Sequence, residues 1–277
     1  MIKELLLKLV MLGTGAPPPT VEKNGPSNGI ISGEKLFLID AGRNVATQAV
    51  RAGFPVDQID NIVFTHFHSD HYTGFGEFFI SRWIMGAKEP LKVFGPAPIV
   101  EIVKRMLLYY EYDIDLRVNE GKSRVGTQID VEVVSSGDTF SVNNVEISAV
   151  KGTNHGNVDD ILSYKFHRNN KTIVIASDGS PTNQLLPFSK DADILVMHAC
   201  VPELIQGRFG GNSETARIVA SHHATFKEIG EIATNAKVKK LVFSHVVPPL
   251  APDARVIEGI SEYFSGEIIA GKDQMVL

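Results

Sequence analysis

Residues 64–74 read FTHFHSDHYTG, and within six positions they place His66, His68, Asp70 and His71 directly behind the apolar run IVFT. The whole chain holds nine histidines, so three of them in one short stretch need a reason. Neutral imidazole and carboxylate are the donors that zinc accepts. His66 and His68 are two residues apart, and on extended backbone their rings point the same way. Asp70 and His71 are adjacent, so their side chains diverge. The spacing suits two cations side by side, a histidine pair for one and an Asp–His pair for the other. A lone histidine in such a loop is most often a surface residue. Four donors crowded together make a poor core and a needless surface, and a metal site accounts for them.

A dinuclear site needs more donors, and the sequence offers three. His155 lies in KGTNHGN, Asp178 in SDGSP and His245 in FSHVVPP. Taken singly, each has a plainer reading: a loop residue, a turn or N-cap aspartate, a hydrogen-bonded buried histidine. Beside the first cluster they read together as ligands, with Asp178 placed to bridge the two cations. His167, next to a turn, reads as exposed. His222 and His223 taken alone read as a solvated pair at a helix start.

These donors need elements to position them. Short apolar runs cover 36–39 (LFLI), 62–65 (IVFT), 145–150 (VEISAV), 172–177 (TIVIAS), 194–197 (ILVM) and 241–244 (LVFS). Such runs read as buried strands. They are followed by Asp40, His66, the loop holding His155, Asp178, His198 and His245. The strands thus deliver polar groups to one edge, where open α/β sheets hold their ligands. Residues 5–12 read as a further strand. Helical patterns cover 42–51, 75–85, 97–110, 226–236 and 255–264. Trp83 and the Tyr109–Tyr110 pair fall in them as core or interface residues. Residues 164–167 and 171–175 flank RNN, a hairpin turn. Strands occur both in hairpins and singly with helices, which predicts mixed sheets with helices packed outside them. No linker or composition shift divides residues 1–277, so one domain is expected.

The chain is 43% hydrophobic and 21% charged with a formal net charge of −5. That balance argues against general nucleic-acid affinity, which needs a basic field. The one cysteine, Cys200, excludes an intrachain disulfide and suits a reducing compartment. The start MIKELLLKLVMLGTG has Glu4 and Lys8 breaking its apolar stretch, so it is read as no signal peptide. A cytoplasmic location and no membrane span are expected. GTGAPPP (13–19) lacks phosphate-loop spacing and is read as a turn shaped near the metals.

The cluster His66-x-His68-x-Asp70-His71, followed in order by His155, Asp178 and His245, resembles the metallo-β-lactamase superfamily. The stretches VMLGTGAPPP (10–19), FLIDAG (37–42) and HHATFKEIGEIATNAKVKKLVFSHVVP (222–248) resemble one branch of it. That branch contains RNase Z, which processes tRNA 3′ ends, with arylsulfatases and cyclic phosphodiesterases. The resemblance implies an α/β fold, an αββα sandwich with a dinuclear centre at one edge, usually zinc, with manganese or iron as alternatives. It implies His66, His68 and His155 as ligands of one metal, Asp70, His71 and His245 of the other, and Asp178 as the bridge. It gives His223 the role of an extra active-site histidine steadying the reacting or departing oxygen, and it makes a homodimer the expectation. His198 matches a strand-end histidine and is expected to support the site. In RNase Z-like chains the residues there read His-Glu-Ala, whereas here they are His198-Ala199-Cys200.

The expected reaction is hydrolysis of a small phosphodiester or sulfate ester by metal-held hydroxide, oriented by Asp70. The tRNA-gripping arm of RNase Z lies between the positions of His155 and Asp178. Here 22 residues separate them, too few for that arm. Nucleic acid is therefore a secondary expectation. Arg208 and Phe209, in GRFGGNS, are candidates for meeting an anionic group and an aromatic leaving group. Rival readings are a tRNA 3′-endonuclease, a carbonyl hydrolase such as a lactonase or thioesterase, and, least favoured, a non-catalytic metal-binding protein.

Overall fold

The structure is a computed structural model that describes residues 7–156, 158–208 and 214–277, the side chains of 206–208 apart. The first sheet is built from β1 (Leu7–Gly13), β2 (Ser27–Ser32), β3 (Lys35–Ile39), β4 (Asn61–Val63), β5 (Leu91–Gly95) and β6 (Ile129–Val133), in that spatial order. The second sheet draws on β7 (Thr139–Val142), β8 (Val145–Val150), β10 (Ser163–Arg168), β11 (Lys171–Ile175), β13 (Ile194–Cys200), β14 (Lys240–Val247) and β15 (Glu267–Ala270). Its order is β15-β14-β13-β11-β10-β8-β7. Two short strands, β9 (Thr153–Asn154) and β12 (Ser180–Pro181), pair with each other beside the site. The helices are α1 (Val45–Arg51), α2 (Ser69–Tyr72), α3 (Phe75–Ile84), α4 (Ile99–Asn119), α5 (Leu185–Phe188), α6 (Pro202–Arg208), α7 (Glu214–Ser221), α8 (Phe226–Asn235) and α9 (Asp253–Ser261).

Strand periodicity explains the layering. Successive side chains on a strand face opposite sides of its sheet. In β3, Phe37 and Ile39 join a core shared with the second sheet, while Leu36 and Leu38 join the one beneath α1 and α3. In β13, Ile194 and Val196 enter the shared core, while Leu195 and Met197 pack with α8 and α9 residues. Strands covered on both faces carry continuous apolar runs rather than alternating ones. The result is helix–sheet–sheet–helix, the αββα sandwich expected. No helix among the described residues is long and apolar enough to cross a membrane.

Several elements differ from their sequence reading. β13 and β14 run on through His198 and His245, so these two residues lie within strands rather than past their ends. The register between β13 and β14 shifts at His198/Ala199, with Ser244 paired to His198 and Val246 to Ala199. His245 is thus the extra residue of a bulge, with φ 47°, and a bulge re-aims a side chain. α4 is far longer than the pattern over 97–110, and α1 begins only at Val45 after the left-handed Asn44. Trp83 is buried, as expected, and Tyr109 is exposed.

The glycines of GTGAPPP and DAG have a steric reason. A Cβ on Gly13 would stand 1.9 Å from Gly25 O, and one on Gly42 would stand 2.4 Å from Gly25 C. Only glycine lets these three backbones meet beside the site.

Candidate metal centre and its pocket

The chain leaves β4, bends at Thr65, is extended at His68 and turns at once into α2. His68 therefore sits on extended backbone and Asp70 and His71 on a helical turn. His155 follows β9, Asp178 follows β11, and His245 comes from the β14 bulge. Three overlapping groups result: His66, His68 and His155; His66, His71 and Asp178; Asp70, His71 and His245, with the donor atoms of each group within 4.8 Å. His66, Asp70, His71, His155, Asp178 and His245 are buried, and His68 is half-buried.

Hydrogen bonds fix which ring nitrogens face inward. Thr65 Oγ1–H donates to Asp40 Oδ2 at 2.8 Å, so at 3.0 Å it can only accept from His66 Nδ1–H. His71 Nδ1–H donates to Asp40 Oδ2 at 2.8 Å, and His155 Nδ1–H donates to the His222 carbonyl at 2.9 Å. In the neutral form of each ring this leaves Nε2 without a proton, as a donor for metal.

The distances fit donors that share a cation. Two nitrogens each about 2.0–2.1 Å from a tetrahedral zinc ion lie roughly 3.3–3.4 Å apart. His66 Nε2 and His68 Nδ1 are 3.3 Å apart. His245 Nε2 lies 3.0 Å from Asp70 Oδ2 and 3.3 Å from Asp178 Oδ2, and His71 Nε2 lies 3.4 Å from Asp178 Oδ2. His71 Nε2 is buried with no hydrogen-bond partner among the described residues. Such an orphan is costly unless something else engages it. The residues present therefore fit metal ions.

A second tier of residues holds these donors. Asp40, itself at φ 60°, accepts from Thr65 N, Thr65 Oγ1 and His71. Asp40 follows the apolar run LFLI, and no motif gives it a role. Its place after a buried strand, like that of the ligands, was the available signal. Beneath Asp178 lies a chain of buried hydroxyls. Thr153 Oγ1–H donates to the Asp178 carbonyl at 2.7 Å. Ser177 Oγ–H must then donate to Thr153 Oγ1, also at 2.7 Å, and Ser163 Oγ–H to Ser177 Oγ at 3.2 Å. No sequence motif marked these three residues.

His198 accepts from Gly179 N through Nε2 at 3.3 Å, which places its proton on Nδ1, 4.0 Å from Asp178 Oδ1. Burial pushes its pKa down to about 4, against the pull of Asp178. It stands beside the bridge candidate Asp178. Ala199, where RNase Z-like chains carry Glu, is fully buried. His223 is buried rather than solvated. The cap that opens α8 positions it: Thr225 and Glu228 bond each other reciprocally, and Ser180 Oγ donates to the His223 carbonyl. Its ring lies 5.1 Å from that of His155 and 5.2 Å from that of His198. Burial first, then His198, hold it neutral, with its pKa down to about 2. His167 is exposed, as expected. Arg208 closes α6, but its side chain and all of Phe209 lie outside the described residues.

Over the donors opens a cavity of about 390 Å³. Pro17, Pro18, Ile205, Val219, Val247 and Pro248 supply apolar lining to it, and no Lys or Arg stands among the described lining residues.

The family profile described as "Anti-Pycsar protein Apyc1" matches residues 7–245, ending on the bulge histidine. The chain belongs to the Apyc1 family. A Ribonuclease Z of Mycolicibacterium gilvum (strain PYR-GCK) is 30% identical over 251 residues, 89% of this chain and 86% of that protein. Among solved structures, the metallo-β-lactamase fold protein YhfI of Bacillus subtilis superposes with a TM-score of 0.77, covering 98% of each chain at 17% identity. A diphosphatase of the PhnP family superposes at 0.70, covering 98% of this chain and 97% of that one at 18% identity. The fold is that of the metallo-β-lactamase hydrolases, in the branch the sequence resembles.

Proposed function

We propose that this Apyc1-family protein is a metal-dependent hydrolase of small phosphodiesters, with sulfate esters of similar size as the alternative substrates. The observation that carries the reading is the convergence of seven donors under one small cavity, with neutral His223 beside them. His66, His68 and His155 would hold one divalent cation, Asp70, His71 and His245 a second, and Asp178 would lie between; zinc is the metal proposed, with manganese or iron as alternatives. Bound there, the cations would polarise the ester and lower the pKa of water toward neutrality. Asp70 orients the attacking water. The neutral His223 ring offers a hydrogen bond to the non-bridging or departing oxygen without adding charge. The apolar wall receives the uncharged organic substituent and sheds water from the reacting group. Substrate contacts by Arg208 and Phe209 remain part of the proposal. So does a homodimer, supported by Leu108, Tyr109, Tyr112 and Leu116 exposed along α4; a monomer by light scattering would remove it.

The identity to a protein named Ribonuclease Z supports a second reading, tRNA 3′-end processing. Against it, β10 and β11 pair as a tight hairpin between His155 and Asp178, where an RNA-gripping arm would have to emerge. The deciding experiment compares metal-loaded protein on bis(4-nitrophenyl) phosphate, 4-nitrophenyl sulfate and a precursor tRNA, with His66→Ala as the blank. The reading expects the phosphodiester to dominate and the blank to be silent. A dominant tRNA rate would replace it with the second reading. Full activity of His66→Ala on every ester would sink the metal mechanism altogether.

A further inference from the structure

The pocket wall that carries Pro17 and Pro18 is a long excursion between β1 and β2 without regular secondary structure. Such a loop keeps its place only if its backbone is tied down. Its two ends, Thr14 and Asn24, meet at a single side chain 249 residues further on. Asp273 Oδ1 accepts from Thr14 N at 2.8 Å and from Thr14 Oγ1 at 2.7 Å. Asp273 Oδ2 accepts from Asn24 N at 2.8 Å and from Asn24 Nδ2 at 2.7 Å. One carboxylate therefore takes four hydrogen bonds, about its full capacity, and all four come from the base of this loop. Gly15 N donates to Asn24 O at 2.7 Å and closes the same base.

The carboxylate is itself held in place. Gln274 N donates to Met11 O at 2.7 Å, and Met11 N donates to Met275 O at 2.9 Å. Leu9 and Leu277 exchange two further backbone bonds, so residues 274–277 lie along the free edge of β1. Gly271 N is bonded to Phe243 O on β14. The segment thus spans from the second sheet to the first and plants Asp273 between them. The clamp also touches the metal centre, because the Thr14 carbonyl accepts from His245 N at 3.2 Å.

We propose that Asp273 is a positioning residue that clamps the 14–24 loop and so seats the Pro17–Pro18 wall against the substrate. The inference rests on the phosphodiester reading for its substrate and on the structure alone for the clamp. In Asp273→Asn an amide NH₂ replaces one acceptor oxygen and faces two N–H or O–H donors at one end of the loop. The base opens while the side-chain volume is kept. Thr14 at the loop base touches the donor set, through its carbonyl and His245 N, and Thr14 directly follows β1, which keeps it in place; release of residues 15–24 therefore acts on substrate binding.

The test uses the full metal-loaded chain with bis(4-nitrophenyl) phosphate, its metal content, and backbone amide exchange. Asp273→Asn is expected to raise KM by about fivefold or more with kcat within about twofold of wild type. Metal content stays at the wild-type level. Exchange quickens across 15–24 and is unchanged in β4 and in residues 241–244. Asn24→Ala removes one of the four bonds and should give a smaller shift of the same kind, which keeps the test open if Asp273→Asn does not fold. Unchanged exchange in 15–24, or an unchanged KM despite faster exchange, overturns the proposal. So does a fall in kcat together with lost metal, which would make Asp273 a general prop of the fold. A wild-type chain silent on the ester overturns the phosphodiester reading and leaves exchange to decide the clamp.

Discussion

Asp40 Oδ2 lies 2.8 Å from His71 Nδ1, and that one contact decides which nitrogen of His71 faces the other donors. The same carboxylate holds Thr65 by its N and Oγ1, and Thr65 in turn receives His66 Nδ1–H. One residue outside the ligand set thus orients a donor from each of the outer groups. Partners of this kind set ring tautomer and ligand basicity. In Asp40→Asn, metal affinity should fall by about 10–100-fold. Chelator competition measures it, and wild-type affinity in the variant would remove Asp40 from this role.

Metal uptake should release protons and weaken as pH falls. Burial opposes charge on His71, but Asp178 and Asp40 outweigh it and hold its pKa well above 6.5. Burial likewise opposes charge on His245, and Asp178 with the Asp70 hydrogen bond outweighs it. His66 and His68 lie below 6.5, through burial and then the neighbouring rings. Both shifts tighten the hold of the metal-free chain on protons at two histidines, His71 and His245, whose nitrogens a metal would need. Binding must displace them, so the sign is unambiguous: protons and metal compete. Titrating metal into weakly buffered protein with a pH indicator should show acidification at pH 7. No release, with pH-independent affinity, would contradict the assigned donors.

The hydroxyl chain under Asp178 should matter to stability. Thr153→Val keeps the shape of the side chain but leaves the buried Asp178 carbonyl without its donor and the buried Ser177 hydroxyl without its Thr153 acceptor. Stranding such groups costs about 1–3 kcal/mol. Thr153→Ser keeps the hydroxyl and should recover most of that loss. Denaturant unfolding of both variants measures it, and equal stability of the two would show that the hydroxyl is idle.

Much of the site was legible in the residues themselves. The donor types and their spacing across 66–71 named a metal centre, because few other arrangements bring four such groups together. His155, Asp178 and His245 were legible because each stands at or near the end of an apolar run, and β-strand periodicity buries such runs. The layers followed from the same runs, since strands apolar on both faces must be covered twice.

Other features were decided only by the folded chain. The sequence marks His245 as a strand-end donor, yet it acts from inside β14 through a bulge, and bulges arise from pairing with a neighbouring strand. Asp40 gains its role from His71, Thr153 from Asp178, and Asp273 from Thr14 and Asn24. Each of these pairs is joined by hydrogen bonds between residues far apart in the chain. A hydrogen bond of that kind has no local period or spacing, so composition and pattern carry no trace of it. The candidate metal donors were therefore readable as types at a spacing. The residues that hold them became readable only when two sheets and residues 271–277 brought their polar groups within about 3 Å, the distance at which hydrogen bonds form.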